Sequence, residues 1–235
     1  MKIVPAAETE QRLEGIWPEF LLHDAISNRY WNRLYTDFAG FQFVLVDGGH
    51  VIAEGNCVPV AGQPAQWRDA FLSAFERGGE PDRVCAVAIL ISPDRQGGGL
   101  SATMLEHMRG LAAPFGRLVA PVRPTLKHRY PLIPIEEYAH WRRADGTHFD
   151  PWIRTHERAG AELMGTAEEA MLIEGSPDDW REWTGLELRA DGDYVVPGAL
   201  VPVQVADGHG GSTGSRASGS VTTSRNRLPG LSSPR

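Results

Sequence analysis

Three consecutive glycines, Gly97, Gly98 and Gly99, form the part of the sequence best suited to bind a ligand. The residues before them, 84–91, are apolar without alternation, which is typical of a strand buried on both faces. The residues from Leu100 onward have the spacing of an amphipathic helix. Glycines let the backbone turn sharply and direct several N–H groups into one small space, and a helix N-terminus attracts negative charge. The sequence therefore predicts a strand, a turn and a helix around an anion-binding site.

The pattern of this turn excludes both common kinds of nucleotide site. It lacks the Gly-Lys-Ser or Gly-Lys-Thr ending of a phosphate-binding loop, and its glycines do not have the spacing of a dinucleotide fingerprint. Ser101 lies close to the glycines, but the second glycine of a nucleophile elbow is missing. We therefore expect Ser101 to contribute a main-chain N–H rather than a nucleophile, which leaves a serine or metal hydrolase as a minor alternative.

Hydrophobic periodicity predicts the elements that must position this turn. Apolar residues at spacings of three and four predict helices over residues 8–23 and 26–38 and around Trp67. Asp47-Gly48-Gly49 separates two β-rich runs, 41–46 and 51–60, which indicates a hairpin. Downstream, the sequence predicts a strand at 118–122, helices beginning near Asp150 and Ser176, and strand-like pieces at 161–164, 170–173 and 194–205.

The composition is that of an ordinary globular domain. The 235 residues are 42% hydrophobic and 23% charged, with a formal net charge of −7. Because this balance is acidic and the arginines are scattered, neither nucleic acid nor an anionic membrane is expected as a partner. We recognise no secretory signal and no apolar stretch of membrane-spanning length, so a cytoplasmic location is expected. Cys57 and Cys85 lie in strand-like contexts and are predicted to be buried thiols.

Residues 96–101 resemble the acyl-CoA signature of the GNAT (GCN5-related N-acetyltransferase) superfamily, which reads Gln/Arg-x-x-Gly-x-Gly/Ala. Gln96 and Gly99 match this signature, and Ser101 stands where Gly or Ala is usual. The predicted order of elements is also similar to that of the superfamily. The resemblance implies an α/β fold with a mixed, centrally splayed β-sheet flanked by helices on both faces. It also implies acetyl-CoA or another acyl-CoA as co-substrate, with no metal.

The resemblance further implies which residues hold the coenzyme. Members of the superfamily bind the pyrophosphate through main-chain N–H groups of the signature, while the preceding strand pairs with the pantetheine arm. The implied positions are Leu90, Ile91 and Ser92 along the pantetheine and Gln96, Gly97, Gly98, Gly99, Leu100 and Ser101 around the pyrophosphate. The signature strand is expected to splay from the predicted strand at 118–122, so that a backbone N–H near Ser92 polarises the thioester carbonyl.

An acid and a base complete the chemistry of acyl transfer. Members of the superfamily commonly use a Tyr four residues before the glycine that ends the helix after the fifth strand. His156 stands at that place before Gly160, so the resemblance makes it the candidate acid for the departing thiolate. For a general base, the sequence offers Glu80 and Asp82 before the buried strand and Glu54 in the hairpin. We take Glu80 as the candidate base.

The segment 124–149 is longer than the short link of simple GNAT domains, and insertions of this size are usually functional or mobile. A polar and aromatic cluster lies at its start and is expected to meet an anionic acceptor or the coenzyme 3′-phosphate. This cluster comprises Arg123, Lys127, His128, Arg129 and Tyr130. Histidines that recur every eight residues match no zinc pattern, so no metal site is expected.

The sequence predicts one GNAT-like domain over residues 1–206 and a disordered, Gly/Ser/Arg-rich tail over 207–235, which has too little apolar surface to fold. The implied function is acyl-CoA-dependent N-acyl transfer to a small-molecule amine, by direct transfer in a ternary complex. Because His156 replaces the usual Tyr, a non-catalytic, regulatory acyl-CoA-binding module is the alternative. A homodimer is compatible with the sequence.

Overall fold

The computed structural model describes residues 1–167, 170–206, 214–215 and 220–224. Its strands are β1 (Lys2–Pro5), β2 (Gln42–Asp47), β3 (His50–Val60), β4 (Arg83–Ile91), β5 (Leu118–Val122), β6 (Glu162–Ala167), β7 (Ile173–Glu174), β8 (Gly192–Tyr194), β9 (Val203–Val205), β10 (Gly214–Ser215) and β11 (Ser220–Ser224). Its α-helices are α1 (Ala25–Asp37), α2 (Trp67–Leu72), α3 (Leu100–Ala112), α4 (Ile135–Tyr138), α5 (Pro151–Arg158) and α6 (Pro177–Thr184). Within these described ranges, no helix is both long and apolar enough to cross a membrane.

The main sheet of the described residues has seven strands in the order β1-β2-β3-β4-β5-β11-β6. Neighbouring strands are antiparallel except for β4 and β5, which are parallel. Helices cover both faces. The sequence-based prediction of a mixed α/β sheet is therefore confirmed.

The sheet opens between β4 and β5. These strands pair only near their N-terminal ends, where Val84 lies opposite Leu118 and Cys85 lies opposite Val119. Further along β4, the register against β3 shifts and leaves Val87 as an extra residue, which is a β-bulge. A bulge bends its strand, and the second half of β4 diverges from β5. The predicted central splay is thus confirmed at the predicted pair of strands.

The two faces of the sheet have separate cores. On one face, α1 and α2 pack against a cluster that includes Val58, Cys85 and Val119. On the other face, α3, α4 and α5 pack against a cluster that includes Ala120 and Val122. Since side chains of a strand alternate between faces, neighbouring residues of β5 contribute to different cores. Both cysteines are buried thiols, as predicted.

The helix predicted over residues 8–23 is not formed. Residues 9–18 follow an irregular path, and Glu19–His23 form a 3-10 helix. Gly15 adopts a φ of 67°, and Pro18 has no N–H to donate to a helix. Apolar residues of this segment, including Trp17, pack against the C-terminal region of the chain. Their spacing reflects this packing rather than a helix.

The C-terminal region also differs from its prediction. The single strand predicted at 194–205 is two short antiparallel strands, β8 and β9. In the tail predicted to be disordered, β10 pairs with β7 and β11 lies between β5 and β6. The prediction of disorder is corrected for these two strands, because partners on either side satisfy the backbone of β11 although its residues show little apolar alternation. The rest of 207–235 lies outside the described residues.

The insertion 124–149 is folded against the domain. It contains a 3-10 turn at Lys127–Arg129 and the short helix α4. Four aromatic rings pack together within it, those of Tyr130, Tyr138, Trp141 and Phe149. Asp150 ties this cluster to α5, because its carboxylate caps the helix and accepts a hydrogen bond from Tyr138 Oη at 2.8 Å. The insertion therefore holds the beginning of α5 in place.

Candidate active site

A cleft of about 1470 Å³ runs through the opening between β4 and β5. Residues 86–91 of β4 and 120–122 of β5 form its walls. The glycine turn, the beginning of α3 and one side of α5 line one end. Residues 12–19, α1 and the C-terminal region line the other end. The cleft thus joins the two faces of the sheet at the place where the sheet is open.

The glycine turn faces this cleft with its backbone. Gly97 and Gly99 have φ values of 80° and 78°, a backbone conformation that residues with a side chain rarely adopt. A Cβ atom on either glycine would meet nothing within 4 Å, so space rather than packing lies in front of them. No backbone carbonyl of the described residues accepts from the N–H groups of residues 97–101, and the first N–H groups of α3 have no partner inside the helix. This arrangement suits a phosphate-bearing ligand.

Most of the implied coenzyme positions line the cleft. These are Leu90, Ile91, Gln96, Gly97, Gly99, Leu100 and Ser101. Ser92 and Gly98 do not line it, and the Ser92 N–H donates to Ile52 O of β3 at 3.0 Å. The Ser92 N–H itself is therefore already engaged by β3. Because successive N–H groups of a strand point to opposite edges, those of Ile89 and Ile91 point to the open edge instead.

His156 lies on α5 and lines the cleft. It is 4% exposed, and its ring stands nearly perpendicular to that of Trp152 with centroids 4.5 Å apart. Burial lowers the pKa of His156 to about 4. The imidazole is therefore neutral at neutral pH, so it can donate a hydrogen bond but does not carry an acidic extra proton.

Glu80 lies away from the cleft. It is exposed in the loop that precedes β4, whereas the sheet opens near the other end of that strand. A residue before Arg83 is separated from the opening by the paired half of β4. The structure therefore does not bring the candidate base Glu80 to the site.

A different carboxylate, that of Glu54, occupies the cleft. Glu54 is 2% exposed on β3. Its Oε1 accepts a hydrogen bond from Tyr35 Oη of α1, and its Oε2 accepts one from the Leu13 N–H at 3.3 Å. Asn56 Nδ2 donates to the same tyrosine oxygen at 3.0 Å. Burial, followed by the hydrogen bond to Glu54, raises the pKa of Tyr35, so the phenol stays protonated and orients the carboxylate.

Sequence reasoning underestimated Glu54 because its environment is built from distant residues. A signal was nevertheless present. Glu54 and Asn56 alternate within an otherwise apolar strand, and two polar side chains on one face of a buried strand indicate a partner there. The partner, Tyr35, lies on α1. The sequence predicted this helix but not which of its side chains face β3.

The polar cluster at the start of the insertion divides in the structure. Arg123 and His128 line the cleft. Lys127 is fully buried and donates to Tyr130 O at 2.8 Å and Leu200 O at 2.6 Å, so it holds the insertion against the C-terminal region. Arg129 is exposed. Two of the five residues therefore lie where a ligand in the cleft can contact them.

Comparison with known proteins places the chain in a family. A scan against models of protein families finds no match. The curated protein arginine N-acetyltransferase avaD of Aspergillus versicolor is 31% identical over an alignment 236 positions long, which covers 84% of this chain and 81% of that protein. The chain belongs to the GNAT superfamily. As a GNAT enzyme, it is an N-acetyltransferase with an acyl-CoA co-substrate.

Solved structures agree with the GNAT fold. The loading GNATL domain of CurA from Lyngbya majuscula aligns with a TM-score of 0.59 at 19% identity, over 90% of this chain and 87% of that domain. GphF, a GNAT-like decarboxylase in complex with isobutyryl-CoA, aligns with a TM-score of 0.53 at 14% identity, over 85% of each chain. At these identities the likeness establishes the fold alone.

Proposed function

We propose that this GNAT enzyme transfers the acetyl group of acetyl-CoA directly to a primary amine of a small molecule, within a ternary complex. The cleft through the β4–β5 opening carries this proposal, because it joins the glycine turn on one face of the sheet to a polar pocket on the other. Thioester and amine can therefore approach each other from opposite ends. Holding both reactants in one cleft removes much of the entropic barrier to their reaction.

The coenzyme fits the end formed by α3 and α5. The N–H groups of residues 97–101 and the beginning of α3 would hold the pyrophosphate, and the open edge of β4 would pair with the pantetheine. The N–H groups of Ile89 and Ile91 are then placed to polarise the thioester carbonyl. Such preorganised donors stabilise the charge that develops on the oxygen.

The acceptor fits the end that contains Glu54. Three indole rings line this end, those of Trp17, Trp31 and Trp67. A buried carboxylate beside aromatic rings suits a cationic compound. Arginine, which the name of the avaD relative gives as that enzyme's substrate, meets this description, and we take it as the first acceptor to test.

The transfer step uses residues from both ends. The amine nitrogen attacks the carbonyl carbon, so that the new C–N bond forms as the C–S bond breaks. Glu54, whose carboxylate Tyr35 keeps oriented, accepts the proton that the bound ammonium loses before it attacks, and the second proton leaves the nitrogen to solvent once the C–N bond has formed. His156 donates a hydrogen bond from its neutral imidazole to the departing sulfur, which then takes a proton from solvent.

Release of the CoA thiol in the presence of acetyl-CoA and a panel of amines tests the proposal. Thiol release that depends on an amine, with mass spectrometry showing the acetylated amine, is the expected result. CoA binding without amine-dependent release at any pH would contradict the proposal and favour the non-catalytic binding module. Thiol release that ignores the amine would indicate hydrolysis instead.

A further inference from the structure

Arg123 carries a charge that the described part of the protein does not balance. Its Nη2 donates to Gly198 O, while its Nη1 is inaccessible to solvent and has no hydrogen-bond partner among the described residues. No ion pair joins it to a described carboxylate, and burial lowers its pKa to about 10. Arg123 therefore stays cationic at neutral pH. A buried guanidinium nitrogen without a partner is costly, so a ligand that brings a negative charge to it would stabilise this arrangement.

The guanidinium lies at the acceptor end of the cleft. Arg123 directly follows β5 and lines the cleft. Within β5, Val119 packs with α1 and α2, whereas Ala120 and Val122 pack with α3. By alternation, Arg123 continues the face of Val119, which is opposite to the glycine turn.

The partner of Arg123 confirms this placement. Gly198 belongs to the C-terminal region, and a Cβ atom on it would lie 3.1 Å from Pro18 Cγ. Pro18 belongs to the N-terminal segment that lines the acceptor end. Arg123 therefore lies where these two segments meet, on the face of the sheet that also presents Glu54.

We propose that Arg123 binds the carboxylate of the acceptor, so that the substrate class is an amino acid rather than a simple amine. This inference rests on the proposed acetyl transfer. Glu54 on β3 and Arg123 after β5 flank the β4–β5 opening with opposite charges, which complement the amine and the carboxylate of an amino acid. A guanidinium is the side chain best suited to a carboxylate, because it offers several N–H donors in one plane.

Paired acceptors that differ only in the carboxylate test this proposal. L-arginine and agmatine share the guanidinium and the amine, and L-lysine with cadaverine and L-histidine with histamine form matching pairs. We expect wild-type kcat/KM to favour the amino acid by about 100-fold in at least one pair, mainly through KM. Arg123→Gln should reduce this preference to about fivefold or less while leaving the KM for acetyl-CoA unchanged. Arg123→Lys, which keeps the charge, should restore part of the preference.

The outcomes separate failure of this inference from failure of the proposed function. If Arg123→Gln slows both members of a pair equally, Arg123 has a structural role and the inference is wrong. If it instead raises the KM for acetyl-CoA and keeps the preference, Arg123 serves the coenzyme or its acyl group. Calorimetric titration of each pair into the CoA-bound protein gives a readout without turnover. Wild-type protein that binds amino acid and amine equally overturns the inference, whether or not it acetylates either.

Discussion

At the scale of single residues, burial decides what His156 can do. Its pKa of about 4 means that the folded protein holds the imidazole neutral, although the residue type suggests an acid near neutral pH. A neutral imidazole still donates one hydrogen bond. His156 can therefore stabilise a departing thiolate while staying neutral over the physiological pH range. The residue type alone could not predict this, because the lowered pKa comes from burial.

The stability of the protein should report this neutral state. The unfolded chain protonates His156 below its ordinary pKa of 6.5, whereas the folded protein does so only near 4. Stability should therefore fall as the pH falls through this window, and His156 should account for about 2 kcal/mol of the loss between pH 7 and 5. Urea unfolding of His156→Gln at both pH values should show a loss smaller by that amount. Equal losses in wild type and variant would mean that the histidine is not buried in its neutral form.

The positions of Glu54 and Glu80 predict opposite effects of their substitution on catalysis. Glu54→Gln should lower kcat/KM by about 100-fold or more, because the amine loses its proton acceptor, and should leave the affinity for CoA unchanged. Glu80→Gln removes the same charge from an exposed loop and should leave kcat/KM within about twofold of wild type. Steady-state kinetics with the best acceptor measures both. The reverse pattern would restore the base suggested by the sequence.

At the scale of elements, the strand, glycine turn and helix around residues 84–112 were predictable because their signals are local. An apolar run predicts a buried strand, and glycines before an amphipathic pattern predict a turn and a helix N-terminus. The prediction of a helix over 8–23 was wrong, because apolar residues at helical spacing also occur in an irregular segment that packs against another part of the chain. β11 escaped prediction because its small polar residues owe their structure to the backbones of β5 and β6.

The glycine turn can be tested with a matched pair of variants. Gly99 and Gly116 have φ values of 78° and 79°, and a Cβ atom on either would meet nothing within 4 Å. Glutamate at either position should therefore cost a similar stability, about 1–2 kcal/mol. Gly99→Glu should also weaken CoA binding at least about 100-fold in calorimetry, because its carboxylate would face the pyrophosphate. Gly116→Glu lies outside the cleft and should bind CoA normally, and equal affinity in both variants would reject the site.

At the scale of the whole molecule, the sheet depends on a strand from near the end of the chain. β11 pairs with both β5 and β6, so the chain must return to fill the gap between them. β5 is also a wall of the cleft, and its outer edge is covered by β11. The C-terminal region thereby supports the opening that the proposed chemistry requires.

Truncation after Ala206 tests this dependence. Removing β11 should lower the free energy of unfolding by at least about 2 kcal/mol, because backbone hydrogen bonds on two edges are lost. Hydrogen exchange should increase at residues 119–122. A truncated protein with unchanged stability and exchange would support the disordered tail that the composition suggests.

The proposed transfer requires acyl-CoA to enter the opening between β4 and β5. A crystal structure of the protein with a non-hydrolysable acetyl-CoA analogue tests it most directly. We predict the pyrophosphate against the N–H groups of residues 97–101 and the pantetheine along β4, with the thioester mimic pointing toward Glu54. A pyrophosphate bound away from the glycine turn, or an arm that does not enter between β4 and β5, would contradict the account.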